Sequence, residues 1–138
     1  MPTTERYQAN SISTRIIDRQ KFEILLDGEV VAFSRTLFPR EVRHDLIRNC
    51  RDYNRYSHLD GIGVRVINDY CPQEGKYRFQ LFQGCQDRAA LGETTRGIVE
   101  SVCRFTNKAK CLAEGKHFIR ALVIALAKLD DLVDDRTV

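Results

Sequence analysis

Five side chains between residues 40 and 55 have the type and spacing to hold an anion. Arg40, His44, Arg48, Arg51 and Arg55 recur at intervals of three and four, which on a helix places them in one narrow arc. Cationic groups at that pitch can track the phosphates of a nucleic acid, and Tyr53 and Tyr56 carry rings able to stack on bases. The segment also carries its own counter-charges. Asp45 stands three residues before Arg48, Asp52 four after it, and Asp52 is three before Arg55. Pairs of that kind neutralise much of a basic stripe, so the default reading is a solvated helix face, with nucleic-acid binding as the alternative.

The other reactive residues form no constellation. Five cysteines, Cys50, Cys71, Cys85, Cys103 and Cys111, are an odd number without a CxxC, which favours free thiols over a disulfide framework or a zinc site. Cys111 is the best placed for a lowered pKa, near the expected start of the last helix with Lys108 and Lys110 beside it. His117 lies on a different helical face from it, and no glycine elbow or orienting carboxylate accompanies the pair. The histidines, His44, His58 and His117, are scattered, with no HxxxH or HExxH. Asp130, Asp131, Asp134 and Asp135 form an acidic run without the loop geometry of a calcium site, and they oppose the macrodipole at a helix C-terminus. Gly61-Ile62-Gly63 lacks the third glycine or lysine of a phosphate loop. No catalytic, cofactor-binding or metal-ligating residue is assigned, and the chain leans away from being an enzyme.

Whatever these residues do, they are carried by an ordinary globular composition. The 138 residues are 43 % apolar and 30 % charged, with a formal net charge of +3. That excludes a fibrous or disordered chain and is too small a charge to imply nucleic acid without a clustered patch. The longest apolar run, Ala121 to Ala127, is about a third of a membrane span, and the polar start MPTTERYQANS lacks a signal-peptide core. A cytoplasmic protein with no membrane partner is expected.

The elements follow from periodicity. Arg6 to Ile17 is a weakly patterned strand. In Lys21 to Leu26, Phe22, Ile24 and Leu26 alternate with Glu23 and Leu25, the period of a pleated ribbon. Asp27-Gly28 is a type I′ hairpin pair, and Glu29 to Ser34 is the returning strand. From Pro39 to about Tyr56 the period is helical, with Val42, Leu46, Cys50 and Tyr53 on one side and Ile47 near its edge. The grammar then repeats: Val64 to Tyr70, a turn at Cys71 to Gly75, Lys76 to Phe82, a polar connection from Gly84 to Arg96, and Gly97 to Phe105. Thr106 or Asn107 can cap a last helix from Lys108 to about Val133, with Gly115 as a weak point or break. This predicts an α+β fold: two tandem βββα units forming a mostly antiparallel sheet with both helices on one face. The chain is one domain over 1–138, with an internal repeat of 6–57 and 62–119 and a C-terminal helix extension over 120–134.

The residues that carry this repeat resemble a known family. GEVVAFS (Gly28 to Ser34), then VRVINDY, GKYRFQLF (Gly75 to Phe82), GIVESVCRF and NKAKCLAEG are similar to the strand, YRF-type strand, glycine-led strand and helix of the small YegP-like proteins. Phe105, Lys108, Ala109 and Gly115 resemble that family's aromatic–x–x–Lys–Ala helix start and late helix glycine. The resemblance covers most of residues 6 to 119. It implies a repeat fold without an established activity, and so no catalytic residues.

The last helix is apolar on more than one face. Phe118, Leu122, Leu126 and Leu129 fall on one side, and Ile119, Val123 and Ile124 on others. One sheet face cannot cover all of it: either the first helix and the long connection bury the excess within the monomer, or the excess is a place for association. The expected function is therefore a non-enzymatic interaction module. It would act by self-association as a homodimer or by binding another protein, through Phe118, Leu122, Leu126 and Leu129 and an exposed sheet edge.

Overall fold

The computed structural model describes residues 7–53, 61–71, 75–84, 96–102 and 105–133. Three strands come first: β1 (Ile12–Ile17), β2 (Lys21–Leu26) and β3 (Glu29–Ser34). They are followed by α1 (Arg40–Arg51), then β4 (Ile62–Cys71), β5 (Gly75–Gln83), β6 (Arg96–Ser101) and α2 (Lys108–Leu132). The fold is α+β. The strands make one six-stranded sheet in the order β1-β2-β3-β6-β5-β4, antiparallel at every step.

The local reasons are those of the sequence. Phe22 and Ile24 are buried while Glu23 between them is half-exposed, so β2 lies with one face on a core. Asp27 and Gly28 have φ of 51° and 84°, the left-handed pair that a type I′ turn requires. The turn between β1 and β2 uses the same region at Asp18 and Arg19, with φ of 54° and 61°, and no glycine announces it. The third strand of the second half stops at Ser101. Phe105, expected as its end, instead makes a separate bridge to Tyr77.

Both helices cover one face. α2 crosses β1, β4 and β5, while α1 packs chiefly on α2 and touches β4. Asn107 caps α2 by accepting a hydrogen bond from the Lys110 N–H at 3.1 Å. Gly115, expected as a weak point, interrupts nothing, because α2 runs unbroken through it. Its lack of a side chain lets the helix approach the sheet: a Cβ there would lie 2.6 Å from Val64 Cγ1 and 3.0 Å from Phe79 Cβ. Below it Phe79 and Phe118 pack with ring centroids 5.4 Å apart, and Tyr7 meets Phe118 edge-on at 5.3 Å. The two three-stranded groups join where β3 pairs with β6: Ala32 lies opposite Ser101 and Phe33 opposite Glu100, and the Val102 N–H donates to the Val31 carbonyl at 3.0 Å.

Candidate functional site

The basic arc does not stand free. Arg40 begins α1 and is exposed. His44 Nε2 lies 3.1 Å from Asp130 Oδ2, and Arg48 Nη2 lies 2.6 Å from Asp45 Oδ1. Arg51 is exposed at the end of α1. Arg55, Tyr56 and His58 lie outside the described residues. Half of the described arc is thus already paired to carboxylates, as the nearby aspartates suggested for Arg48.

The expected interface is corrected more sharply. Phe118, Leu122, Leu126 and Leu129 are each 1 % exposed or less. They point into the shared core with Phe22, Ile24, Phe79 and Leu81, so they offer no surface to a partner. The monomer covers them because α1 lies on α2 from one side and the sheet from the other. Val123 and Ile124 are only half-buried, and it is their part of α2 that stays open.

Cys111 is also corrected as a nucleophile. It is fully buried, and burial pushes its thiol up to about 11, overriding the helix N-terminus and the nearby lysines. Cys50 is pushed up to about 12 for the same reason. Neither holds a thiolate at neutral pH.

One cleft opens on the helical side, of about 790 Å³. The end of α1 supplies Cys50, Arg51, Asp52 and Tyr53, and the middle of α2 supplies the opposite wall. The helices are held in this relation by an ion pair at their other ends. Arg43, 1 % exposed, donates from Nε and Nη2 to Asp130 Oδ1 at 3.1 and 2.6 Å, and from Nη1 to the Phe38 carbonyl at 2.7 Å. Hydrogen bonds from Arg43 and His44 hold the Asp130 carboxyl below the usual carboxylate range. Asp130 is therefore a helix-to-helix tie. Among the described residues no group of histidine, cysteine or acidic side chains could hold a metal. Asp134 and Asp135, from the same acidic run, lie outside those residues. α1 runs back along α2 from this tie and ends over Lys116 to Ile124.

No protein-family model, curated protein or solved structure matches this chain.

The cleft has two chemistries in one place. Its floor is apolar, from Ile119, Val123 and Ile124, with the half-buried Tyr53 beside them. Its rim carries Arg51, Lys116 and Arg120, with His117, against one carboxylate among the described residues, that of Asp52. Arg120 Nε donates to the Tyr7 carbonyl at 3.2 Å, which ties the chain's first described residue to the same wall. Arg51 and Lys116 have no carboxylate partner among the described residues. A concave site of this volume, apolar below and cationic above, suits a group that is both apolar and acidic. Sequence reasoning singled out Arg51 and Tyr53 but missed Lys116 and Arg120, which belong to a different helix. It also missed Arg43. The available signal was its position: Arg43, Leu46, Ile47 and Cys50 stand at i, i+3, i+4 and i+7, so the arginine lies on the apolar face. Among the described residues no helix is long and apolar enough to cross a membrane.

Proposed function

We propose that this chain is a non-enzymatic interaction module that binds an acidic, amphipathic protein segment in the cleft between α1 and α2. The observation that carries the reading is the convergence of Arg51, Lys116 and Arg120 around the apolar Val123, Ile124 and Tyr53. An occupant's apolar side would cover the floor while its carboxylates meet the rim, the arrangement of a helix laid in a groove. The buried thiols of Cys50 and Cys111 agree with a role in binding rather than nucleophilic chemistry.

The tandem βββα reading belongs with this proposal. In its support, the β2–β3 pairing shifts register between Ile24 and Leu25, and the β5–β6 pairing shifts between Leu81 and Phe82. Each half would then supply one unit of a YegP-like repeat. The extension of α2 beyond residue 119 would add what the second unit alone lacks, since Val123 and Ile124 lie on it.

The test is fluorescence anisotropy with a labelled synthetic peptide that places leucines and glutamates at helical spacing. A peptide of the same composition with its leucines dispersed is the control. The patterned peptide should bind, and Arg51→Glu and Lys116→Glu should each weaken it, while Arg48→Gln should not. Equal binding of the two peptides would remove the reading. A labelled single-stranded oligonucleotide covers the alternative. Tight binding that falls steeply with salt and drops in Arg48→Gln/Arg51→Gln would make the arginine arc a nucleic-acid site instead.

A further inference from the structure

One stripe of α2 carries a pattern that a second copy of the same helix complements. Lys116, Arg120, Val123, Ile124, Ala127 and Asp131 fall within one quadrant or so of the helix at 100° per residue. Val123 and Ile124 are half-buried and the other four are exposed. Read along the helix, the stripe is cationic, then apolar, then small, then anionic. Asp131 stands at a helix end with no basic residue in the last turn to offset the macrodipole. Lys116 stands about 22 Å away along the same axis, at about 1.5 Å per residue. Both belong to one unbroken helix, so Asp131 cannot fold back onto Lys116 of its own chain.

A second copy running antiparallel resolves this. The midpoint between Lys116 and Asp131 falls between Val123 and Ile124. A two-fold axis there sets Lys116 opposite the partner's Asp131, Arg120 opposite the partner's Ala127, and Val123 opposite the partner's Ile124, each contact occurring twice. This is the self-complementarity that an isologous interface requires. The small Ala127 leaves room for the long Arg120 side chain. Arg51 of α1 and Tyr53 just after it flank the stripe, so the partner helix lies in a trough.

We infer that this face of α2 is a homodimer interface, and that the amphipathic segment entering the cleft is the α2 of a second copy, which brings the carboxylate of Asp131 to the cationic rim although α2 as a whole carries five basic and three acidic residues. The inference rests on the cleft being a docking site for such a segment. It assigns the role expected of Phe118, Leu122, Leu126 and Leu129 to the opposite side of the same helix.

Sedimentation velocity of the full chain over a wide concentration range tests it. The wild type should dimerise reversibly. Lys116→Glu and Asp131→Lys should each raise the dimer dissociation constant roughly tenfold or more, about 1.4 kcal/mol. The combined Lys116→Glu/Asp131→Lys chain should dimerise again, because the exchanged charges once more meet with opposite sign across the two-fold axis. Both positions are exposed, and far-ultraviolet circular dichroism confirms that each variant is folded. A wild type that stays monomeric throughout overturns the inference, as does a folded double variant that fails to recover. A monomeric wild type that still binds the patterned peptide loses only the second copy as occupant, whereas failure of both measurements removes the docking site itself.

Discussion

The guanidinium of Arg43 is buried beneath α1 and ends 2.6 Å from the carboxylate of Asp130, 87 residues later in the chain. The pair fixes where α1 begins on α2, and so where α1 ends over the cleft. Removing the acid takes two hydrogen bonds from a buried guanidinium, whereas removing the base leaves a carboxylate that is 27 % exposed and still touches His44. Asp130→Ala should therefore destabilise the fold by about 3 kcal/mol and Arg43→Met by clearly less. Midpoints of guanidinium unfolding give the order, and a costlier Arg43→Met would show that packing of the arginine stem outweighs the ion pair.

The same pair sets a response to acid. Asp130 has a folded pKa below its unfolded value, so its stabilisation is present above the ordinary aspartate range, about 3.9, and is lost as pH falls through the lower folded value. The gap in unfolding temperature between wild type and Asp130→Asn should be steady near pH 7 and should close below about pH 4. A gap that does not change with pH would mean that the ionised form of Asp130 is not the stabilising one.

Gly115 is the residue where helix preference and packing disagree. Alanine would gain about 1 kcal/mol of helix propensity, yet its methyl would press on the stiff Val64 and the Phe79 stem. The clash is the larger effect at these distances, so Gly115→Ala should lower stability by about 1–2 kcal/mol. Thermal unfolding of Gly115→Ala beside Gly115→Ala/Val64→Ala separates the two contributions. Partial recovery in the double variant is expected, because the methyl removed from Val64 is the one nearest the new Cβ.

Leu122 and Leu126 have no exposed surface and sit between α1 and the sheet. Aspartate at both positions buries two charges without partners, and the chain should lose its fold rather than yield a soluble monomer. Circular dichroism of the purified double variant is sufficient. A folded product would return these leucines to the surface.

The sheet was largely legible in the residues. Alternation in β2 and β5, the Asp27-Gly28 turn and the Asn107 cap each carry a local signal that tertiary contacts did not override. The β1–β2 turn was not readable, since Asp18 and Arg19 are ordinary residues held at positive φ by the strands on either side. Gly115 was misread for a related reason: glycine in a helix signals weakness unless the surface beneath it is known. The apolar excess of α2 was visible, but which side stays open depends on where α1 lies. That placement is decided by Arg43 and Asp130, far apart in the chain, the first not singled out and the second read only as part of an acidic run. The cleft combines Arg51 with Lys116 and Arg120, and no spacing rule joins residues on separate helices.

The join of β3 to β6 at Ala32–Ser101 and Phe33–Glu100 has a consequence for how the molecule holds its shape. One seam fastens the two three-stranded ribbons along the sheet, and α2 lies on β1 of the first and on β4 and β5 of the second. The helix is a splint. It keeps the ribbons from scissoring, so whatever grips its outer side is anchored to both at once.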